Sequence, residues 1–224
     1  MQPRLVEVRQ NILKQNDILA RSLRTRFEDA GLLVVSMVSS PGAGKTTLLE
    51  ATLTQLRKDG CRAAALVGDL ATENDAQRLA RSEAPVRQIT TGTVCHLDAQ
   101  MIHEAIAGWS LSELDILFIE NVGNLVCPAS YDLGENLRLL LMSVTEGEDK
   151  PLKYPTIFNT ADVAVITKTD LAAAVEFDLV AARNNIQAVR PGMTMLELSA
   201  KTGAGVPEYL ESITSKLEKR VTIS

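Results

Sequence analysis

The amino-acid sequence predicts an α/β fold, a mainly parallel sheet with helices on both faces, preceded by an N-terminal amphipathic helix. Three observations carry this prediction. From Leu32 onward, apolar strand-like runs alternate with helical runs, the rhythm of a sheet whose crossovers are helices. Several strands are apolar with little alternation, as in Leu114-Asp115-Ile116-Leu117-Phe118-Ile119 and Val163-Ala164-Val165-Ile166. Both faces of such strands must be covered. Finally, the first strand runs through a glycine-rich turn directly into a helix.

The elements follow in order. Residues 4–30 read as one helix, with Leu5, Val8, Ile12, Leu19, Leu23 and Phe27 on one stripe and Gly31 as its stop. Strands are expected near 32–38, 61–67, 86–90, 114–119, 136–144, 162–167 and 193–198. Helices are expected near 45–59, 73–83, 97–108, 174–188 and 205–219. Residues 144–159, holding Glu146-Gly147-Glu148-Asp149-Lys150-Pro151, read as an exposed loop. No repeat or second domain is evident, so residues 1–31 form a helix packed on a domain of residues 32–224. In such a sheet, ligands bind at the carboxyl ends of the strands.

Composition narrows the function. A chain of 224 residues with 46% apolar content can bury a full core. The net charge of −5 comes from interspersed acids and bases, and only eight aromatics (four Phe, three Tyr, one Trp) are available to stack bases. No nucleic-acid partner is expected. No apolar run reaches membrane-spanning length, and the first residues lack the apolar core of a signal peptide. Cys61, Cys95 and Cys127 are an odd number at wide spacing, which reads as free thiols in a reducing cytoplasm.

The run Ser39-Ser40-Pro41-Gly42-Ala43-Gly44-Lys45-Thr46-Thr47 lies between the strand and the helix. That context makes it a phosphate loop and the sheet a P-loop NTPase sheet. Backbone N–H groups of Gly42, Ala43, Gly44, Lys45, Thr46 and Thr47 would cradle phosphates. Lys45 would bridge the β- and γ-phosphates, and the Thr46 hydroxyl would hold Mg²⁺. Ser39 stands where the pattern has its first glycine, a position that needs only a compact residue.

Two later segments choose the base. Thr167-Lys168-Thr169-Asp170 resembles an NKxD box with Thr for Asn. The Asp170 carboxylate can accept from guanine's ring N–H and exocyclic amine, neither of which adenine offers. The Lys168 stem would lie along the base. Ser199-Ala200-Lys201 matches an SAK box, whose backbone reads guanine's carbonyl. Together they favour GTP and GDP over adenine nucleotides. Glu120-Asn121-Val122-Gly123 resembles the metal-facing acid of a Walker B strand, with Gly123 free to turn its N–H toward the γ-phosphate. This ExxG form resembles the SIMIBI GTPases, which dimerise across their nucleotides. Asp69, at another strand end, is the candidate for a second Mg²⁺ carboxylate or for orienting water; capping the next helix is the alternative. Neither Asn121 nor Asn124 reads as a general base, so hydrolysis should be slow, below about 1 s⁻¹.

Cys95 and His96 follow one strand and Cys127 another, all just beyond carboxyl ends. Thiolate and imidazole suit Ni²⁺ and Zn²⁺ alike. Three ligands make an incomplete site, which a two-fold dimer would complete. Cys127 lies seven residues beyond Glu120, so rearrangement at the γ-phosphate would move a metal ligand. Buried structural thiols remain the alternative. Cys61 reads as core and His103 as an exposed surface residue.

Taken together, the phosphate loop, Cys95-His96-Leu97-Asp98-Ala99 and Glu120 through Pro128 resemble the HypB family of hydrogenase nickel-incorporation GTPases. Gly68-Asp69, Asn74-Asp75-Ala76 and the segment from Thr145 to Pro155 fit the same pattern. The resemblance implies a GTP-promoted homodimer with Cys95, His96 and Cys127 forming a metal site at its interface. It also implies a HypA-type nickel chaperone and the large-subunit precursor of [NiFe] hydrogenase as partners. Lys153 matches a family lysine implied to reach the partner's nucleotide. Some members carry an N-terminal cysteine motif or a histidine-rich tract, and neither occurs in this sequence. A urease-maturation GTPase is the nearest alternative, though its metal loop typically reads Cys-Pro-His. A nucleotide-gated binding module with structural cysteines, and an ATP-dependent kinase, are the others.

Overall fold

The computed structural model describes residues 4–69 and 74–221. Along the chain run α1 (Arg4–Asp29), β1 (Leu33–Ser39), α2 (Lys45–Lys58), β2 (Ala63–Asp69), α3 (Asn74–Leu79), β3 (Val86–Thr90) and α4 (Ala99–Ala105). They are followed by β4 (Ile116–Glu120), β5 (Leu137–Ser143), α5 (Lys150–Lys153), α6 (Pro155–Thr160), β6 (Val163–Thr167), α7 (Leu179–Val189), β7 (Thr194–Glu197) and α8 (Val206–Val221). The strands form one sheet in the order β3-β2-β4-β1-β5-β6-β7. Its pairings are all parallel. The chain leaves β1 toward one edge and, after β4, builds the other edge. The loops after β1 and β4 therefore meet at the crevice where ligands bind in such sheets. Met37 pairs with Glu120, which sets the end of β4 beside the exit of β1.

The five inner strands are apolar because both of their faces are covered. Leu33, Val35 and Met37 of β1 pack in one core with Leu48 and Leu53 of α2 and Tyr209 and Ile213 of α8. Val34 turns to the opposite core, among Ala20, Leu23 and Phe27 of α1 and Ile102 of α4. A third cluster joins Leu140 and Ile166 to Phe158 of α6 and Ile186 of α7. Each fully buried side chain of this size stabilises by about 1.5–3 kcal/mol.

Three expectations change. On α1 the buried positions are Asn16, Ala20, Leu23 and Phe27, whereas Ile12 is 49% exposed. Spacings of four, three and four trace one helical face, and Ile12, four residues before Asn16, lies on that face but is left uncovered. Leu5 and Val8 lie outside the described side chains, and a helix start at Glu73 lies outside the described residues. Residues 144–159 are not an exposed loop. They fold into α5 and α6, with Pro151, Ile157 and Phe158 buried. Helices of four to six residues are too short to show a period. Finally, α7 begins only at Leu179, where Asp178 caps the Val180 and Ala181 N–H groups at 2.9 Å each.

Candidate nucleotide and metal site

Gly42 and Gly44 adopt left-handed backbone at φ 74° and 95°. Gly44 caps α2 with no side-chain bond, leaving the first-turn N–H groups as an anion cradle. Lys45, only 7% exposed, donates from Nζ to Ser39 Oγ at 2.7 Å. Ser39 is thus more than a compact filler, because its hydroxyl holds the loop lysine. Thr46 Oγ1 donates to Glu120 Oε1 at 2.7 Å. Burial pushes the Glu120 carboxyl up to about 7, against the pull of the Lys45 ammonium and the Thr46 hydroxyl. Burial likewise lowers Lys45, with Glu120 opposing. Glu120 Oε2 is buried without a hydrogen-bond partner among the described residues. A buried acid beside a hydroxyl is the oxygen donor set that Mg²⁺ takes, so these residues fit the ion.

A cavity of about 460 Å³ opens over the cradle, lined by Gly42, Gly44, Lys45, Thr46, Thr47, Asp69, Glu120 and Gly123 among others. Gly123 needs its missing side chain: a Cβ there would lie 2.9 Å from Pro41 Cα. An adjoining cavity of about 270 Å³ is lined by Ala43, Lys168, Asp170, Ser199, Ala200 and Lys201. Gly44, Thr47 and Lys168 line both. Ser199 Oγ donates to Asp170 Oδ1 at 2.6 Å and accepts from Thr202 N at 3.2 Å. Lys168, at φ 57°, donates from Nζ to the Gly42 carbonyl at 2.6 Å. Thr167 donates to the Ala43 carbonyl at 2.7 Å. The residue that replaces the usual Asn therefore braces the phosphate loop.

Cys95, His96 and Cys127 come together, with one ligating atom of each within 4.8 Å of the others. The two sulfurs are 3.1 Å apart, beyond the S–S bond length of about 2.05 Å, and both thiols are free. The hydrogen bond with Cys127 raises the Cys95 thiol above its ordinary value, with burial adding. Burial lowers His96 toward the neutral, ligating form, against the Asp98 charge. Its ring stacks on Tyr131 at 4.0 Å, and Nδ1 is buried with no hydrogen-bond partner among the described residues. Two asparagines join the metal loops to the end of β4. Asn121 Oδ1 accepts from Leu97 N at 3.0 Å and Val122 N at 2.9 Å. Asn124 Nδ2 donates to the Cys95 carbonyl at 3.2 Å. Cys61 is partly buried against the core, its thiol pushed up to about 11 by burial; His103 is exposed.

Sequence reasoning gave no role to Arg78 or Asp75, both in the phosphate cavity. Arg78 donates to Thr47 Oγ1 at 3.0 Å. The available signal was an acid and a base, three residues apart, at the helix following the β2 end.

A parallel sheet with this cradle at the carboxyl end of its central strand defines a P-loop nucleotide-binding protein. Residues 33–197 match the nucleotide-binding domain of the CobW/HypB/UreG family. The hydrogenase maturation factor HypB of Azotobacter vinelandii is 46% identical over 209 residues, 93% of this chain and 69% of that protein. The hydrogenase/urease maturation factor HypB of Helicobacter hepaticus is 40% identical, over 94% of this chain and 88% of that protein. The crystal structure of HypB from Helicobacter pylori in complex with nickel superposes with a TM-score of 0.86 at 38% identity, covering 92% of this chain and 96% of that one. The chain belongs to the HypB family of hydrogenase maturation factors.

Proposed function

We propose that this protein is a GTP-hydrolysing metallochaperone that assists nickel insertion into [NiFe] hydrogenase. It works as a nucleotide-gated homodimer with Cys95, His96 and Cys127 at the interface, residues 1–31 riding as a helix on the GTPase domain. The observation that carries this reading is the convergence of the three ligands on the segment that runs from Glu120 of the phosphate cavity to Cys127. The nickel bound in the H. pylori relative supports the choice of cargo. The partners are a HypA-type chaperone and the hydrogenase large-subunit precursor, and the compartment is the cytoplasm.

Asp170 and Ser199 select guanine, with the backbone of Ala200 and Lys201 facing its carbonyl and the Lys168 stem along the ring. Thr46, Glu120 and Asp69 would hold Mg²⁺, which when bound neutralises phosphate charge and polarises the γ-phosphoryl group. Lys45 moves from Ser39 onto the phosphates, and the Gly123 N–H reads the γ-phosphate. Asn121 and Asn124 spend their side chains on backbone groups, so neither orients water, and hydrolysis is a slow timer. Lys153, exposed and ion-paired with Asp149 at 2.6 Å, is the side chain we assign to reach a second subunit's nucleotide, as the family pattern implies.

Metal titration tests the reading. Wild-type protein should bind about one Ni²⁺ or Zn²⁺ per pair of subunits or per subunit, and the Cys95→Ala/Cys127→Ala variant should lose that stoichiometric binding. Retained binding in the variant would instead support a module with structural cysteines. Restoration of hydrogenase in a deletion strain, with urease unaffected, separates the two nickel enzymes.

A further inference from the structure

Helix α1 reaches both metal-bearing segments through one buried side chain. Asn16 is 8% exposed on a face otherwise formed by Ala20, Leu23 and Phe27. Its Oδ1 accepts from the Ala99 N–H at 2.8 Å, and its Nδ2 donates to the Asp132 carbonyl at 2.9 Å. Ala99 opens α4 immediately after the Cys95-His96 loop, and Asp132 follows the turn that begins at Cys127. One carboxamide therefore spans the two segments that supply the ligands.

Further contacts fix the second segment to the helix. Arg24 donates to both carboxylate oxygens of Asp132, at 2.7 and 2.8 Å. Gly134 lies so close to α1 that a Cβ would be 2.9 Å from the Ala20 carbonyl oxygen. An apolar side chain at position 16 could pack on this face, but it would leave the buried Ala99 N–H and the Asp132 carbonyl without this partner. A buried carboxamide is costly unless both of its ends are satisfied. Here each end is satisfied by a different metal-bearing segment.

We propose that Asn16 is a positioning residue for the metal site, fixing the separation of the Cys95-His96 loop and the Cys127 turn. This rests on the metal-site reading above. With the bridge in place, the three ligands are ordered before metal arrives; without it, binding must first order them. The helix is then part of the metal site's frame.

The test is a competition titration of Ni²⁺ and Zn²⁺ into the full chain, for wild type, Asn16→Asp and Asn16→Ala. GDP affinity, thermal midpoint and the thiolate-to-nickel absorption band are measured alongside. Asn16→Asp is nearly isosteric and keeps the acceptor for Ala99 but loses the donor to Asp132. Both variants should bind metal about tenfold more weakly, with an altered absorption band and GDP affinity within about twofold of wild type. If Asn16→Ala does not fold, Asn16→Asp and Arg24→Ala carry the comparison. Metal affinity within twofold of wild type in folded variants overturns the inference, as does an equal loss of GDP and metal binding. Wild-type protein that binds neither metal overturns the metal-site reading and this inference together. Wild-type binding matched by the variants overturns the inference alone.

Discussion

Ser39 and Thr167 both occupy positions where a familiar pattern has another residue, and both have hydrogen-bonding work in the phosphate loop. Ser39 Oγ accepts from the Lys45 ammonium, and Thr167 braces the Ala43 carbonyl. Gly123 contributes by what it lacks, since its backbone lies against Pro41. A Gly123→Ala substitution should push the phosphate loop and cost roughly 1–3 kcal/mol. Affinity for a non-hydrolysable GTP analogue should fall about tenfold, equivalent to about 1.4 kcal/mol, and GDP affinity by less. Calorimetric titration of both nucleotides checks this, and equal losses would remove Gly123 from γ-phosphate recognition. At this scale, Lys45, Asp170 and Cys127 were legible because each belongs to a short local pattern. Asn16 and Arg78 were not. Their significance comes from bonds to residues distant in the chain, Ala99, Asp132 and Thr47, and no local spacing encodes such pairs.

The five inner strands were legible because burial on both faces demands continuous apolar runs, and these survive in the sequence, whereas the edge strands β3 and β7 are only partly buried. The segment 144–159 was misread because its charged residues mask the short helices whose Pro151, Ile157 and Phe158 are buried. Helix α1 was read correctly in extent and, at Leu19, Leu23 and Phe27, in facing, but its buried Asn16 was missed and Ile12 is exposed. A polar residue on its buried side breaks the apolar period that sequence reading relies on. Its tie to the sheet is also electrostatic. Burial pushes Asp132 up, yet the Arg24 guanidinium and the Gly134 N–H outweigh it and hold the carboxyl below its ordinary value. A carboxylate lowered on folding stabilises fully above its unfolded pKa of about 3.9. That contribution is lost as pH falls through the folded value. Both side chains are about one-third exposed (32% and 35%), so the pair contributes about 1 kcal/mol or less. Asp132→Asn should therefore be slightly less stable than wild type at pH 7 in urea denaturation. The difference should shrink below about pH 4, and a gap that widens on acidification would contradict this assignment.

Across the whole molecule, the parallel sheet brings three things to one edge: a phosphate cradle, a second cavity bearing Asp170, and a cysteine–histidine cluster. The end of β4 and the cysteine–histidine cluster are joined by the segment from Glu120 to Cys127, with Asn121 and Asn124 clamping it to the Cys95 loop. No helix among the described residues is long and apolar enough to cross a membrane. On the proposed function, γ-phosphate and metal are read by one connected device. The most direct measurement is molecular mass and Ni²⁺ affinity on the same sample, first with GDP and then with a non-hydrolysable GTP analogue. The analogue should raise the dimer fraction and change nickel affinity by about fivefold or more, a coupling of about 1 kcal/mol. Mass and affinity that are the same with both nucleotides would contradict it.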